Sequence, residues 1–277
     1  MICFPNAKIN LGLNVTEKRL DGFHNIETIF YPIGWNDALE VVVAKKYSRK
    51  EFTLNLSGIP IYGNMNDNLL YKAYKLMQQT RLLPKIEVYL HKSLPMGAGL
   101  GGGSSDAAFF IKLLNEQFNL ELTESETLDI SKKLGSDCAF FVKNSPVFAF
   151  QKGDIFTDIS LDLSHLYVAI VYPNIHSNTK EAYSLITPQK PNKSVLEIIK
   201  QPIKTWKTDL VNDFETSIFK LYPAVKNVKE DLYNLGAIYA SMSGSGSSVF
   251  GLFDQEPDIK HLQMFPNWIG KMKNSFV

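Results

Sequence analysis

The amino-acid sequence predicts a mixed α/β protein of about two domains. Three observations carry that reading. At roughly 150 residues per domain, 277 residues are enough for two cores. Strand-length apolar segments alternate with segments of helical period. A glycine-rich stretch at residues 97–103 runs directly into a helical pattern. Hydrophobic residues are 45% and charged residues 21% of the chain, a globular balance that excludes disorder as its main state.

Residues 38–44 (ALEVVVA) read as a strand, and Phe52, Leu54 and Leu56 alternate with Thr53 and Asn55 as a half-buried strand does. A third strand is predicted at residues 86–90 (IEVYL). Between them, Asn66 or Asp67 can cap a helix carrying Leu70, Ala73, Tyr74 and Met77, with a stop before Pro84. After Gly103, the cap-type residues Ser104, Ser105 and Asp106 precede a helix built on Ala107, Ala108, Ile111, Leu114 and Phe118 and ending near Asn119. Residues 125–134 form another predicted helix, closed by Gly135, with Ser136 and Asp137 leading into the apolar run 138–142.

A strand at 147–150 and a turn at 152–154 complete the first half. Residues 158–165 then separate them from the buried-looking strand 166–172, so domains of 1–157 and 158–277 are expected. The second half carries helical patterns at 212–221 and 224–235, an exposed loop at 188–193, and a Ser/Gly turn within 240–253. No internal repeat or heptad is visible.

Lys plus Arg number 29 against 28 Asp plus Glu, so no overall field attracts nucleic acid or anionic lipid, and any bound anion is held locally. Cys3 and Cys138 are too few for a disulfide framework and form no CxxC pair, which fits a reducing cytoplasm and no metal site. The start of the chain lacks the basic and apolar pattern of a leader. The apolar stretch 166–172 falls far short of the roughly 18 residues a membrane span needs, and a soluble protein with no membrane partner is expected.

The stretch Pro95-Met96-Gly97-Ala98-Gly99-Leu100-Gly101-Gly102-Gly103-Ser104-Ser105 places five glycines within seven residues at a helix entrance. Such a backbone comes close to a phosphate and turns consecutive N–H groups and the positive helix end toward it. The Walker pattern fails, because Gly102 is followed by Gly103 and not by lysine. Gly97, Gly99 and Gly102 satisfy the dinucleotide spacing G-x-G-x-x-G, but the predicted strand stops at Leu90 and Pro95 intervenes, where that motif turns tightly.

The loop resembles the phosphate-binding loop of the GHMP kinases, the superfamily of galactokinase and of homoserine, mevalonate and phosphomevalonate kinases. Residues 5–11 (PNAKINL) are similar to its first motif and residues 242–248 (MSGSGSS) to its third, in the family's order. Residues 19–28 (RLDGFHNIET) resemble the R-x-DGYH-x-L-x-T signature of the branch acting on a cytidine diphosphate-linked methylerythritol, with Phe23 replacing the usual tyrosine. Residues 135–141 (GSDCAFF) resemble that branch's G-A-D-V-P-F-F segment, departing at Ser136, Cys138 and Ala139.

The resemblance implies the two-domain GHMP kinase fold. Its N-terminal domain is like domain 2 of ribosomal protein S5, its smaller C-terminal domain is an α/β sandwich, and the active site lies between them. It implies transfer of the γ-phosphoryl group of ATP, with Mg²⁺, to the tertiary 2-hydroxyl of that small molecule, in the non-mevalonate route to isoprenoids. Phosphoryl transfer needs an anion cradle, a cation and a proton acceptor. Residues 95–105, Lys8 and Asp137 are the candidates for these three parts. Lys8 as a solvated strand lysine and Asp137 as a helix cap or turn residue are the plainer readings.

A base is read by stacking and edge hydrogen bonds, for which Phe23 and His24 are suitable residue types. By the same resemblance His24 contacts the cytosine, Asn10 lies by the methylerythritol portion, and an aromatic after residues 173–180 stacks on the ring, with Tyr183 the candidate. For Tyr183, packing within the second domain is the competing role. No metal ligand and no protein partner is assigned. Another GHMP kinase of homoserine or mevalonate type, a nicotinamide-binding oxidoreductase built on Gly97, Gly99 and Gly102, and a noncatalytic nucleotide sensor stay open.

Overall fold

The structure, a computed structural model, describes residues 1–275. The chain opens with β1 (Ile2–Cys3), β2 (Asn6–Lys18), β3 (His24–Asn36), β4 (Ala38–Val43) and β5 (Phe52–Gly58), followed by α1 (Leu69–Gln78) and β6 (Ile86–Lys92). Helices α2 (Gly102–Gln117), α3 (Glu124–Leu134) and α4 (Ser136–Lys143) come next, then β7 (Val147–Gln151), β8 (Ile155–Asp158) and β9 (Tyr167–Val171). Helices α5 (Thr179–Ser184), α6 (Val195–Ile198), α7 (Trp206–Asp209), α8 (Phe214–Leu221) and α9 (Pro223–Asn234) lead to β10 (Tyr239–Met242), β11 (Val249–Phe253) and β12 (Asn267–Lys271).

These elements form two units that interleave along the chain. The first takes Met1–Ala7, Trp35–Met96 and Gly101–Asn144; the second takes Lys8–Gly34, Gly97–Leu100 and the chain from Ser145 onward. The division expected after residue 157 falls inside the second unit, because β7 and β8 join β3 in one sheet of order β2-β3-β7-β8.

In the first unit the sheet runs β1-β4-β6-β5, with β6 antiparallel to β4 and parallel to β5. A parallel pair needs a crossover, and α1 supplies it between β5 and β6. On β6 the residues Ile86, Val88, Leu90 and Lys92 are buried at every second position, so one face of the strand is turned inward. Leu39, Val41, Ile86 and Val88 share a core with Leu70, Tyr74 and Met77 of α1 and Phe110, Ile111 and Leu114 of α2. Asn68 caps α1, in place of Asn66 or Asp67, since those two lie in a short 3₁₀ turn that Asn64 caps. Thr123 and Glu126 close a capping box at the start of α3.

The second unit adds to β2-β3-β7-β8 a sheet of order β10-β11-β9-β12, whose neighbouring strands are all antiparallel. Leu13, Val15 and Ile26 share a core with Ala169, Val171, Phe214, Ile218, Val228, Leu232 and Met242. Positions 6–15 of β2 are buried without a break. That explains why the sequence showed no alternation there, as in strands covered on both faces. No helix among the described residues is long and apolar enough to cross a membrane.

Candidate active site

The glycine stretch is fastened at its entry by a buried ionic cluster in the first unit. The Asp37 carboxylate accepts the backbone N–H groups of Ser93 at 2.6 Å and Leu94 at 2.9 Å, fixing the chain just before Pro95 and Met96. Its other oxygen accepts from the ammonium of Lys92, which also donates to Asp106 Oδ2 at 2.8 Å. The Lys92 and Asp37 side chains are 0% exposed. A Cβ at Gly102 would come within 3.3 Å of Lys92 Nζ and 3.2 Å of Leu94 Cβ, so the helix entrance sits directly on this cluster.

Helix α2 begins at Gly102, one turn earlier than the sequence predicted. Gly101 is its N-cap in the left-handed region, at φ 70°, and no side chain caps the helix. Ser104, Ser105 and Asp106, expected as caps, therefore lie inside the first turns with Gly103, because a glycine at positive φ lets the chain enter the helix sooner. An N-terminus without a side-chain cap keeps its first N–H groups for an anion.

In the second unit the middle of the loop, Gly97, Ala98, Gly99 and Leu100, is held by its backbone. The Ser243 hydroxyl donates to Gly99 O at 2.9 Å, Ser248 N to Ala98 O at 3.1 Å, and Lys8 N to Leu100 O at 3.0 Å. Gly99 has φ +79°, and a Cβ there would fall 2.0 Å from Ser243 O, so only glycine fits. The Ser243 to Ser248 segment thus joins β10 to β11 and also braces the loop.

Lys8 is a buried lysine, 3% exposed, which removes the solvated reading. Its ammonium donates to Asn10 Oδ1 at 2.6 Å and lies 4.7 Å from the centre of the Phe30 ring. Asn10 in turn donates to Thr28 Oγ1 at 3.0 Å, so its amide serves to orient the lysine. Asp137 occupies the first turn of α4 in the first unit, half-buried, at a helix end that favours acidic side chains. His24 and Tyr183 stack at 4.9 Å between ring centres, leaving no gap for a third ring between them, and Tyr183 also meets Phe214 edge-on at 4.8 Å. Phe23 projects outward, 60% exposed, with the Lys152 ammonium 5.3 Å from its ring centre.

Both halves match family models, GHMP kinases N terminal domain at residues 68–145 and GHMP kinases C terminal at residues 196–263. The chain is 52% identical to the 4-diphosphocytidyl-2-C-methyl-D-erythritol kinase of Bacteroides fragilis over 94% of both chains. It is 51% identical to that of Cytophaga hutchinsonii over 94% of this chain and 95% of the relative. The chain belongs to the 4-diphosphocytidyl-2-C-methyl-D-erythritol kinase family. A crystal structure of a 4-(cytidine 5'-diphospho)-2C-methyl-D-erythritol kinase matches with a TM-score of 0.81 at 28% identity, covering 98% of this chain and 99% of that one. The mevalonate kinase of Methanococcus jannaschii matches at 17% identity with a TM-score of 0.71 and shares the fold. The architecture is the GHMP kinase fold, with its N- and C-terminal domains.

In this kinase-family member the sequence gives no functional role to Asp37 or Lys92 and offers Asp106 only as a helix cap. The signal was present for Lys92, which continues the inward face of Ile86, Val88 and Leu90 immediately before the loop. Two carboxylates share that one ammonium, and Asp106 Oδ1 finds no hydrogen-bond partner among the described residues. Burial pushes the Asp106 carboxyl from its ordinary value of 3.8 up to about 7, with Asp37 adding to the rise and Lys92 opposing it.

The folded chain therefore holds the Asp106 proton more tightly than the unfolded chain does. The resulting stability is complete below pH 3.8 and is lost as the pH rises through about 7. Asp106→Asn removes this titration. Thermal unfolding at pH 5 and pH 8 should show the variant gaining stability relative to the natural chain at the higher pH. An equal difference at both pH values would show that Asp106 does not titrate in this window.

Proposed function

We propose that this chain transfers the γ-phosphoryl group of ATP to the 2-hydroxyl of 4-diphosphocytidyl-2-C-methyl-D-erythritol, giving the 2-phosphate and ADP, in the non-mevalonate route to isoprenoid precursors. The observation that carries the reading is the 52% identity to a relative of that name over 94% of the chain. In this reading the backbone of residues 95–105 and the open N-terminus of α2 cradle the nucleotide phosphates. Lys8, oriented by Asn10, stabilises negative charge on the attacking oxygen, and Asp137 accepts the hydroxyl proton. Asn10 also lies by the methylerythritol portion.

Among the described residues no group of three or more His, Cys, Asp or Glu forms a metal cage. The donor set suits a Mg²⁺ ion carried mainly by phosphate oxygens and water. The Ser105 hydroxyl, buried in the first turn of α2 with no hydrogen-bond partner among the described residues, is an oxygen donor of the kind Mg²⁺ takes. Bound there, Mg²⁺ would neutralise charge on the phosphates.

His24 and Tyr183 supply the cytidine platform, with Phe23 at its edge. Because the two rings already stack, the base lies on the outer face of the pair. Burial, with a smaller push from Lys18, lowers the His24 pKa. A neutral imidazole then offers one donor and one acceptor to a base edge. We place the enzyme in the cytoplasm, the reducing compartment that the free thiols Cys3 and Cys138 fit.

The deciding experiment follows ATP consumption with Mg²⁺ and, in parallel, the cytidylyl methylerythritol, homoserine, mevalonate or no acceptor. Turnover is expected with the first alone; turnover with another acceptor would replace the reading, and ATP binding without turnover would favour a sensor. Asp137→Asn should lower kcat by about a hundred- to ten-thousand-fold, the span of general-base catalysis. A loss below about tenfold would leave Asp137 only an orienting role. For Tyr183→Ala the KM of the cytidylyl substrate should rise more than that of ATP, and equal increases would exclude stacking on the base.

A further inference from the structure

The helical pattern of the sequence starts at Asn212, yet α8 begins only at Phe214, and Asn212 lies outside it, 2% exposed. Its side-chain amide donates to Met242 O at 2.7 Å and to Gly244 O at 2.9 Å, while its Oδ1 accepts from Phe214 N at 3.0 Å. The backbone on either side is tied to β2, through Leu13 N to Val211 O at 2.9 Å and Asp213 N to Leu13 O at 2.8 Å. Asparagine is the residue this place requires. Two carbonyls two residues apart need two donors from one head group, which aspartate lacks and serine only half supplies.

The carbonyls it holds open the turn that braces the glycine loop. Gly244 lies against Gly99: a Cβ built on Gly244 would sit 3.4 Å from both the Gly99 Cα and the Gly99 carbonyl oxygen. Ser243, between the two held residues, donates to Gly99 O at 2.9 Å and accepts from Asn10 N at 3.2 Å. One buried amide therefore stands behind both the loop backbone and the residue that orients Lys8.

We propose that Asn212 is a positioning residue for phosphoryl transfer, its amide fixing the Met242–Gly244 backbone and through it the seat of Gly99 and Asn10. The inference rests on the kinase reading above. A displacement of about 1 Å in such a seat can cost on the order of a hundredfold in rate.

The test compares Asn212→Ala with the natural enzyme and with Val228→Ala, a core truncation in the same unit that removes none of the side-chain hydrogen bonds to the turn. Steady-state kinetics with ATP and the cytidylyl substrate should show kcat of Asn212→Ala reduced about ten- to a hundredfold, with both KM values within about threefold. Val228→Ala should lower Tm and keep its kcat. Amide hydrogen exchange over residues 97–100 and 243–248 should rise in Asn212→Ala alone.

A folded Asn212→Ala enzyme with kcat within about twofold of the natural value, or unchanged exchange in the two segments, overturns the proposal. So does an equal loss of kcat in Val228→Ala. If Asn212→Ala does not fold, Asn212→Ser, which keeps one donor, is read by the same criteria. Failure of the natural enzyme on the cytidylyl substrate would count against the kinase reading instead, and the exchange measurement would still decide the role of Asn212.

Discussion

The Ser243 hydroxyl accepts the amide hydrogen of Asn10 and donates its own to the carbonyl of Gly99, joining three segments far apart in sequence within one unit. The oxygen can do so only because Gly99 takes a left-handed φ and carries no Cβ, which would collide with the Ser243 carbonyl. Everything proposed for phosphate binding depends on that close approach. A glycine loop free in solvent would spend its binding energy on becoming ordered. Here the order is already present, supplied by bonds from Ser243, Ser248 and Lys8 to three successive carbonyls of the loop.

Charge is handled in two ways. At the loop entry, Lys92 is wholly buried between Asp37 and Asp106, and the Asp37 carboxylate spends its other oxygen on backbone amides. That lysine serves the backbone of the loop. Lys8, also buried, donates to the Asn10 amide and faces the Phe30 ring, contacts that orient its ammonium. A buried ammonium oriented in this way suits a group proposed to stabilise developing negative charge.

Much of the architecture was legible in the chain. Helix α1, the strands around residues 38–43, 86–92 and 147–151, and the turn after Phe150 follow from periodicity and turn chemistry. The two 13-residue strands β2 and β3 carry no alternation that reveals them. In β2 the buried stretch includes Asn6, Lys8, Asn10 and Asn14, and three of these polar residues find partners in distant segments, Asn6 in Asn144, Asn10 in Thr28 and Asn14 in Asp213. Helix starts were misplaced for a related reason. Serines and aspartates near a helix entrance look like caps, and at α2 a left-handed glycine took that place.

The sequence by itself determined the family, the order of its three motifs and the types of residue available for phosphate, proton and base, because those depend on short segments whose chemistry is local. The tertiary structure alone decided which neighbour each polar side chain answers to. It made Lys8 buried, gave Asn10 the task of orienting it, set His24 against Tyr183, and placed Asn212 behind the Ser243 turn. None of these pairings is close in sequence except Lys8 with Asn10, and a buried polar group finds its partner only when the fold brings one within hydrogen-bond reach.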